Sequence, residues 1–212
     1  MWKGKDGIYN RFVKRIFDII CASLAMIVFC WLYAIVAILV RIKLGAPVLY
    51  TAERVGRNGK TFKLYKFRSM SNAKGPDGQL LPDTERLTKF GRIIRATSLD
   101  ELPEAINIFK GDMSVIGPRP LPQVYMDYYT EEELHRHDVR PGLSGWAQVN
   151  GRNAISWDKK FQYDLEYVNK VCFIEDVKIV LLTVKKVFVR EGIGQGEEHP
   201  GSLYDHREKR VK

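Results

Sequence analysis

The chain has 212 residues, with 34 Lys and Arg against 25 Asp and Glu, giving a formal net charge of +9. That length holds one sizeable domain with its own core, or a domain with an appendage, and the positive balance points to nucleic acid, a membrane surface or a phosphorylated substrate as partner. The three cysteines, Cys21, Cys30 and Cys172, show no metal-ligand spacing and cannot all pair, which argues against a disulfide framework or a zinc module and for a reducing, cytosol-facing protein.

From Ile19 to Val40, 22 residues pass without a charge. As a helix rising ~1.5 Å per residue the run reaches about 33 Å, the thickness of a bilayer's hydrocarbon core. It is too long for a signal peptide, and no small-residue cleavage site follows it. A core helix apolar all round is out of place in so small a protein, so membrane insertion is expected. Lys3, Lys5, Arg11, Lys14 and Arg15 precede the run, and Arg41, Lys43, Arg54 and Arg57 follow it. Cations on both flanks favour keeping both ends in the cytoplasm, which makes the segment a re-entrant helix. No Gly or Pro lies between Gly7 and Gly45, however, so no residue forces a break and a spanning helix stays open.

Residues 47–70 read as two strands joined by a turn at Gly56–Gly59. Alternation places Phe62, Leu64, Lys66 and Arg68 on one face of the second strand, an apolar face that ends in two cations. Residues 72–83 form a loop rich in Gly, Pro, Asn and Asp. A helix is expected over 85–95, with Leu87, Phe90 and Ile94 as its apolar stripe and Arg86, Lys89, Arg92 and Arg95 on another face. A second helix is expected over 103–109, stopped by Gly111. Three prolines make a rigid turn around Arg119. Residues 139–153 read as a glycine-bearing loop with Arg140 and Arg152, open to a ligand. Amphipathic helices are expected over 157–170 and 176–190, able to close a core or to lie on a bilayer surface. The remainder is a polar tail, expected to be poorly ordered.

The stretch TSLDELPEA (97–105) pairs two carboxylates, Asp100 and Glu101, ahead of a proline. Ser98 and Glu101 match a capping box, but Pro103 would then interrupt the helix. Moving the N-cap to Asp100 brings Pro103 into the first turn, where its missing N–H costs nothing, and sets both carboxylates at a helix N-terminus that favours anions. Asp100 reads either as a simple cap or as a carboxylate nucleophile, which forms acyl phosphates when cations neutralise the phosphate. Lys66, Arg95, Arg119, Arg140 and Arg152 are candidate cations. No phosphate-binding loop of the GxxxxGK[ST] type and no GxGxxG turn is present.

KRIFD before the apolar run, then YKFRSM, RATSLDELPEAINIFKGDMSVIGPRPL and RHDVRPGLSGWAQVNGRNAISWDKKFQYD, resemble in order and spacing the small monotopic phosphoglycosyl transferases, a bacterial sugar transferase family. The resemblance runs from about Arg11 to Arg190. It implies an α+β enzyme of the bacterial inner membrane: an N-terminal basic segment and re-entrant helix (1–44), a mainly helical cytoplasmic catalytic domain with a small β-hairpin and amphipathic interfacial helices (45–190), and a polar tail (191–212). It implies transfer of a sugar-1-phosphate from a UDP-sugar to undecaprenyl phosphate, with release of UMP. Asp100 and Glu101 fall on the family's catalytic dyad. Asp100 would be the nucleophile and would hold Mg²⁺, while Lys66, Arg95, Arg119 and Arg152 fall on its phosphate-binding cations. Members commonly break the membrane helix with Ser-Pro, where this chain has Cys30 and Trp31. A glycosyltransferase releasing UDP and a membrane-anchored basic scaffold are the rival readings. Nucleic acid is not an expected partner, since no recognised binding motif accompanies the charge.

Overall fold

The computed structural model describes residues 7–151, 155–189 and 201–209. A π-helical turn, Tyr9–Val13, runs directly into α1 (Lys14–Val28), and α2 (Cys30–Leu44) follows after a single residue. That residue, Phe29, leaves helical geometry (φ −101°, ψ 14°), and the two axes bend by 65°. Among the described residues no single helix is long and apolar enough to cross a membrane, whereas the bent pair together has the length and composition.

The uncharged run is therefore broken just ahead of Cys30–Trp31, although no Gly or Pro demands it. The cause is tertiary, because different parts of the domain hold the two halves. On α1, Ala22 packs with Leu64, Ile108 and Met113. Asp18 accepts from the Ser114 hydroxyl (2.8 Å) and the Val115 amide (2.9 Å), Lys14 pairs with Asp176 (2.5 Å), and Arg15 donates to the carbonyls of Ile108 and Phe109. On α2, Val36 and Val40 pack with Phe67 and Ile94, and the Tyr33 hydroxyl donates to the Leu102 carbonyl (2.6 Å). Arg68 then binds the carbonyls of Leu44 and Ala46 and so caps the end of α2. Both ends of the bent pair are thus fastened to one body. Its outer surface, including Ile16, Leu24, Ile27, Trp31, Ile38 and Ile42, is exposed and apolar.

The hairpin forms as expected. β1 (Leu49–Val55) pairs antiparallel with β2 (Thr61–Phe67), Leu49 opposite Phe67, and Asn58 in the turn takes the left-handed conformation (φ 56°). The helix expected over 85–95 divides in two. α3 (Asp83–Arg86) ends at extended Leu87, and α4 (Lys89–Ala96) starts afresh because the Thr88 hydroxyl accepts from the Gly91 amide and caps it. Gly91 lets α4 lie against the strand end, since a Cβ there would fall 1.8 Å from the Ser69 carbonyl.

α5 (Glu104–Lys110) stops at left-handed Gly111. The stretch expected to be a loop instead contains β4 (Gly142–Ser144), paired in parallel with β3 (Ser114–Ile116), and then α6 (Trp146–Asn150). Backbone hydrogen bonds between two chain segments, invisible to side-chain periodicity in runs of three residues, account for the difference. α7 (Trp157–Lys170) matches its expected bounds, and α8 (Phe173–Val189) begins three residues earlier than expected. Residues 201–209 of the tail return to the domain. Leu203 is fully buried with Tyr125, Trp157 and Phe161, and Arg207 pairs with Glu133 (2.7 Å) and Asp158. The described chain is mainly helical with two two-stranded sheets, an α+β fold.

Candidate active site

Asp100 and Glu101 lie in a single 3-10 turn, Leu99–Glu101, entered through Ser98 in the left-handed conformation (φ 56°). Leu99 and Leu102 on either side pack into the cluster of Val36, Val40, Phe67 and Ile94 and so hold the turn. The N-cap of α5 is Pro103, and neither it nor Ser98 makes a side-chain cap. The expected cap at Asp100 is therefore corrected. The chain tightens into 3-10 geometry before Pro103, and the Asp100 carboxylate stays uncommitted to backbone.

The side chains converge on one nitrogen. Lys66 Nζ, from β2, lies 2.7 Å from Glu101 Oε1, 3.1 Å from Glu104 Oε1 and 3.9 Å from Asp100 Oδ2. Arg119 Nη2, from the proline-framed turn, donates to the same Glu101 oxygen at 2.7 Å and keeps 46% of its side chain exposed. Arg95, from the last turn of α4, donates through Nε to the Ser69 hydroxyl (2.9 Å), and its charge stabilises ionised Asp100. Four residues expected in the site, Lys66, Asp100, Glu101 and Arg119, thus meet, with Arg95 in electrostatic reach. Arg152 lies outside the described residues. Arg68, which shares a strand face with Lys66, is spent on α2 instead.

Glu104 was missed. It is 2% exposed and shares Lys66 with the dyad. Its spacing, four residues after Asp100 and three after Glu101, was the available signal, because such positions share a helical face.

The three carboxyls differ in charge. Burial pushes Asp100 above the ordinary aspartate range, and the neighbouring Glu101 adds to this, against Lys66, Arg95 and Arg119. Burial raises Glu101 too, but Arg119 and Lys66 together outweigh it and hold its carboxyl well below the usual range. Glu104, desolvated and facing ionised Glu101, is pushed up to about 7 despite Lys66. Glu101 is thus the fixed anion that gathers the two cations, and Asp100 is a poorly solvated carboxylate beside them. That is the arrangement a carboxylate needs in order to attack phosphorus.

Glu104 sets a pH dependence. A raised folded-state value favours the neutral form, so the stability it contributes is present below about 4.5 and is lost as pH rises through about 7. Gln keeps an acceptor for Lys66 and cannot ionise. Glu104→Gln should therefore flatten the fall in melting temperature between pH 5 and pH 8 and melt above wild type at pH 8. An unchanged slope in thermal unfolding would show that Glu104 is ionised throughout.

Among the described residues no group of three His, Cys, Asp or Glu is arranged to cage a metal ion. Glu101 and Glu104 are committed to Lys66 and Arg119, which leaves Asp100. Mg²⁺ characteristically takes one or two carboxylates and completes its shell with water and substrate phosphate, so the donor set fits a substrate-shared ion and not a protein cage. A separate cavity of about 460 Å³ beside α7 is walled by Glu132, Glu133, Asp158 and Glu166 and by none of the described site residues.

Similarity to known proteins places the chain in a family. The family described as "Bacterial sugar transferase" matches residues 9–190. The chain is 50% identical over 183 residues to "Uncharacterized sugar transferase EpsL" of Bacillus subtilis, covering 86% of this chain and 91% of that protein. It is 38% identical to "UDP-glucose:undecaprenyl-phosphate glucose-1-phosphate transferase" of Escherichia coli and 36% identical to "Undecaprenyl-phosphate galactose phosphotransferase" of Salmonella typhimurium, each over 86% of this chain. Of those two longer proteins the match spans 41% and 42%. The matched family region contains the bent helix pair, the hairpin and every described residue of the site, and the chain belongs to the bacterial sugar transferase family.

Proposed function

We propose that the chain transfers a sugar-1-phosphate from a UDP-sugar to undecaprenyl phosphate at the cytoplasmic leaflet of the bacterial inner membrane, releasing UMP. The observation that carries this reading is Asp100, a buried carboxylate free of any capping role beside the Lys66 and Arg119 cations that Glu101 gathers. The names of the relatives, which move a sugar together with its phosphate to an undecaprenyl acceptor, support the same reaction.

Asp100 Oδ attacks the sugar-linked phosphorus of the donor. The bond from that phosphorus to the bridging oxygen breaks, and UMP leaves with the electron pair. An oxygen of undecaprenyl phosphate then attacks the same phosphorus, the aspartyl–phosphorus bond breaks, and Asp100 returns as carboxylate. No proton transfer to or from Asp100 is required. Lys66 and Arg119 neutralise the diphosphate, and Arg95 helps keep Asp100 ionised. Asp100 is the residue that would hold Mg²⁺, which would supply further neutralisation of negative charge as UMP leaves.

The lipid acceptor accounts for the exposed apolar surface of the bent pair and for that of α8, where Ile174, Val177, Leu181 and Val184 are exposed. Because residues 14–18 and 44–46 are fastened to one domain, the proposed topology is re-entrant, with both ends cytoplasmic. A cysteine introduced at Gly7 should be labelled only from the cytoplasmic face, and periplasmic labelling alone would exclude re-entry.

The reaction is tested by incubating purified protein with Mg²⁺, undecaprenyl phosphate and a panel of UDP-sugars that includes N-acetylated ones, then identifying the nucleotide product. UMP supports the proposal. UDP favours a glycosyltransferase that moves the sugar alone, and the absence of both favours a scaffold.

A further inference from the structure

Arg119 sits between Pro118 and Pro120, two residues that fix φ but have no N–H to donate. The turn is held instead through its carbonyls. That of Pro118 accepts from the Gly142 amide (3.0 Å) and that of Leu121 from the Val55 amide (3.1 Å). The carbonyl of Arg119 itself accepts from a side chain, Arg136 Nη2, at 2.8 Å. Arg136 and its partner Asp164 are deeply buried, each with 2% of its side chain exposed. Asp164 Oδ2 accepts from both Nε (3.1 Å) and Nη2 (2.8 Å) of the guanidinium. The rings of Tyr129 and Phe161 each lie 5.7 Å from Arg136 Cζ, and the Tyr129 hydroxyl meets Nη1 at 3.4 Å.

A buried ion pair is a poor device for stability, since apolar side chains of similar volume serve as well or better. What such a pair does well is hold a donor in one direction. Here Asp164 fixes the guanidinium plane, and the Nη2 that it grips is the same atom that holds the Arg119 carbonyl. The other end of Arg119 meets Glu101. We infer that the Arg136–Asp164 pair positions Arg119, aiming its guanidinium at the donor's phosphates from outside the reacting groups. The inference rests on the reading of Arg119 as a phosphate-binding cation. Neither Arg136 nor Asp164 touches the dyad, so both are positioning residues.

Two variants test it in the full-length protein. Asp164→Asn keeps the shape and removes the charge that grips Arg136. The double change Arg136→Met with Asp164→Leu replaces the pair by apolar side chains, which such sites tolerate, and removes the donor to the Arg119 carbonyl. Both should raise KM for the UDP-sugar by about tenfold with kcat within about threefold, since uniform binding is what is lost. In an Arg119→Ala background Asp164→Asn should add less than about twofold, because coupled residues do not sum. Hydrogen exchange, which needs no substrate, should speed up about tenfold at the amides bonded to or from the turn, those of Gly117, Gly142 and Val55, and stay unchanged in β2 (61–67). Exchange at Gly117, Gly142 and Val55 that matches wild type in both variants overturns the positioning role, whichever nucleotide the enzyme releases. So does a folded double variant with wild-type KM, or full additivity with Arg119→Ala. Failure of the donor reading shows separately, as an absence of UMP from the wild-type enzyme.

Discussion

Asp100→Asn should lower turnover by at least about 10³-fold, the scale on which removing a covalent nucleophile acts, while leaving the melting temperature within a few degrees of wild type. The second half of that expectation follows from the structure. Asp100 caps no helix, and its contact with Lys66 is the longest of the three that Lys66 makes, at 3.9 Å. Asn is isosteric and removes only the charge. A variant that loses activity because it unfolds, or one that keeps wild-type turnover, would each count against the nucleophile assignment. The raised value of Asp100 adds an acid limb to kcat/KM: as pH falls, the attacking anion is lost at a higher pH than for an ordinary aspartate.

Lys66→Met carries the second large effect, this time on both activity and fold. Met retains the aliphatic stem but, among the described residues, leaves Glu101 with Arg119 alone and Glu104 with no cation in contact. Breaking one partner out of a largely buried charge cluster costs about 3 kcal/mol. The cost should depend on pH in a definite direction. At pH 5 Glu104 is neutral and Lys66 is missed least. Without Lys66, which lowers it, Glu104 is pushed higher still, so the variant goes on losing stability above pH 7, where wild-type Glu104 has already ionised, and its melting temperature falls furthest below wild type there. kcat/KM should drop by about 10² or more, because a cation that balances transferring phosphate is gone. Equal destabilisation at pH 5 and pH 8 would mean that Lys66 acts through packing of its stem and not through its charge.

How much of this was legible in the sequence depends on the range of the signal. The hairpin, α5 with its glycine stop, and α7 were readable because alternation, capping glycine and helical periodicity are local. The dyad and its cations were readable as candidates, and the family resemblance ranked them. The exact role of Asp100 in the backbone was not, because the choice between a cap and a 3-10 turn depends on Leu99 and Leu102 finding the core beneath them. The break at Phe29 has no local cause either. It follows from Ala22 being drawn to Ile108 and Met113 while Val36 and Val40 are drawn to Phe67 and Ile94. The parallel pairing of β3 with β4 joins residues 28 apart in sequence, over segments too short to show a period. Glu104 was visible by its spacing but went unassigned, because a lone acid in a first helical turn is ordinary until Lys66 is seen beside it.

The most direct test of the central claim is the mass of the protein after incubation with Mg²⁺ and its UDP-sugar in the absence of undecaprenyl phosphate. The covalent scheme predicts a sugar-phosphate adduct on the peptide that contains Asp100, formed together with an equal amount of UMP and discharged when the polyprenyl phosphate is added. An enzyme that turns over with both substrates present, yet carries no adduct and releases UMP only after the acceptor is added, would contradict it.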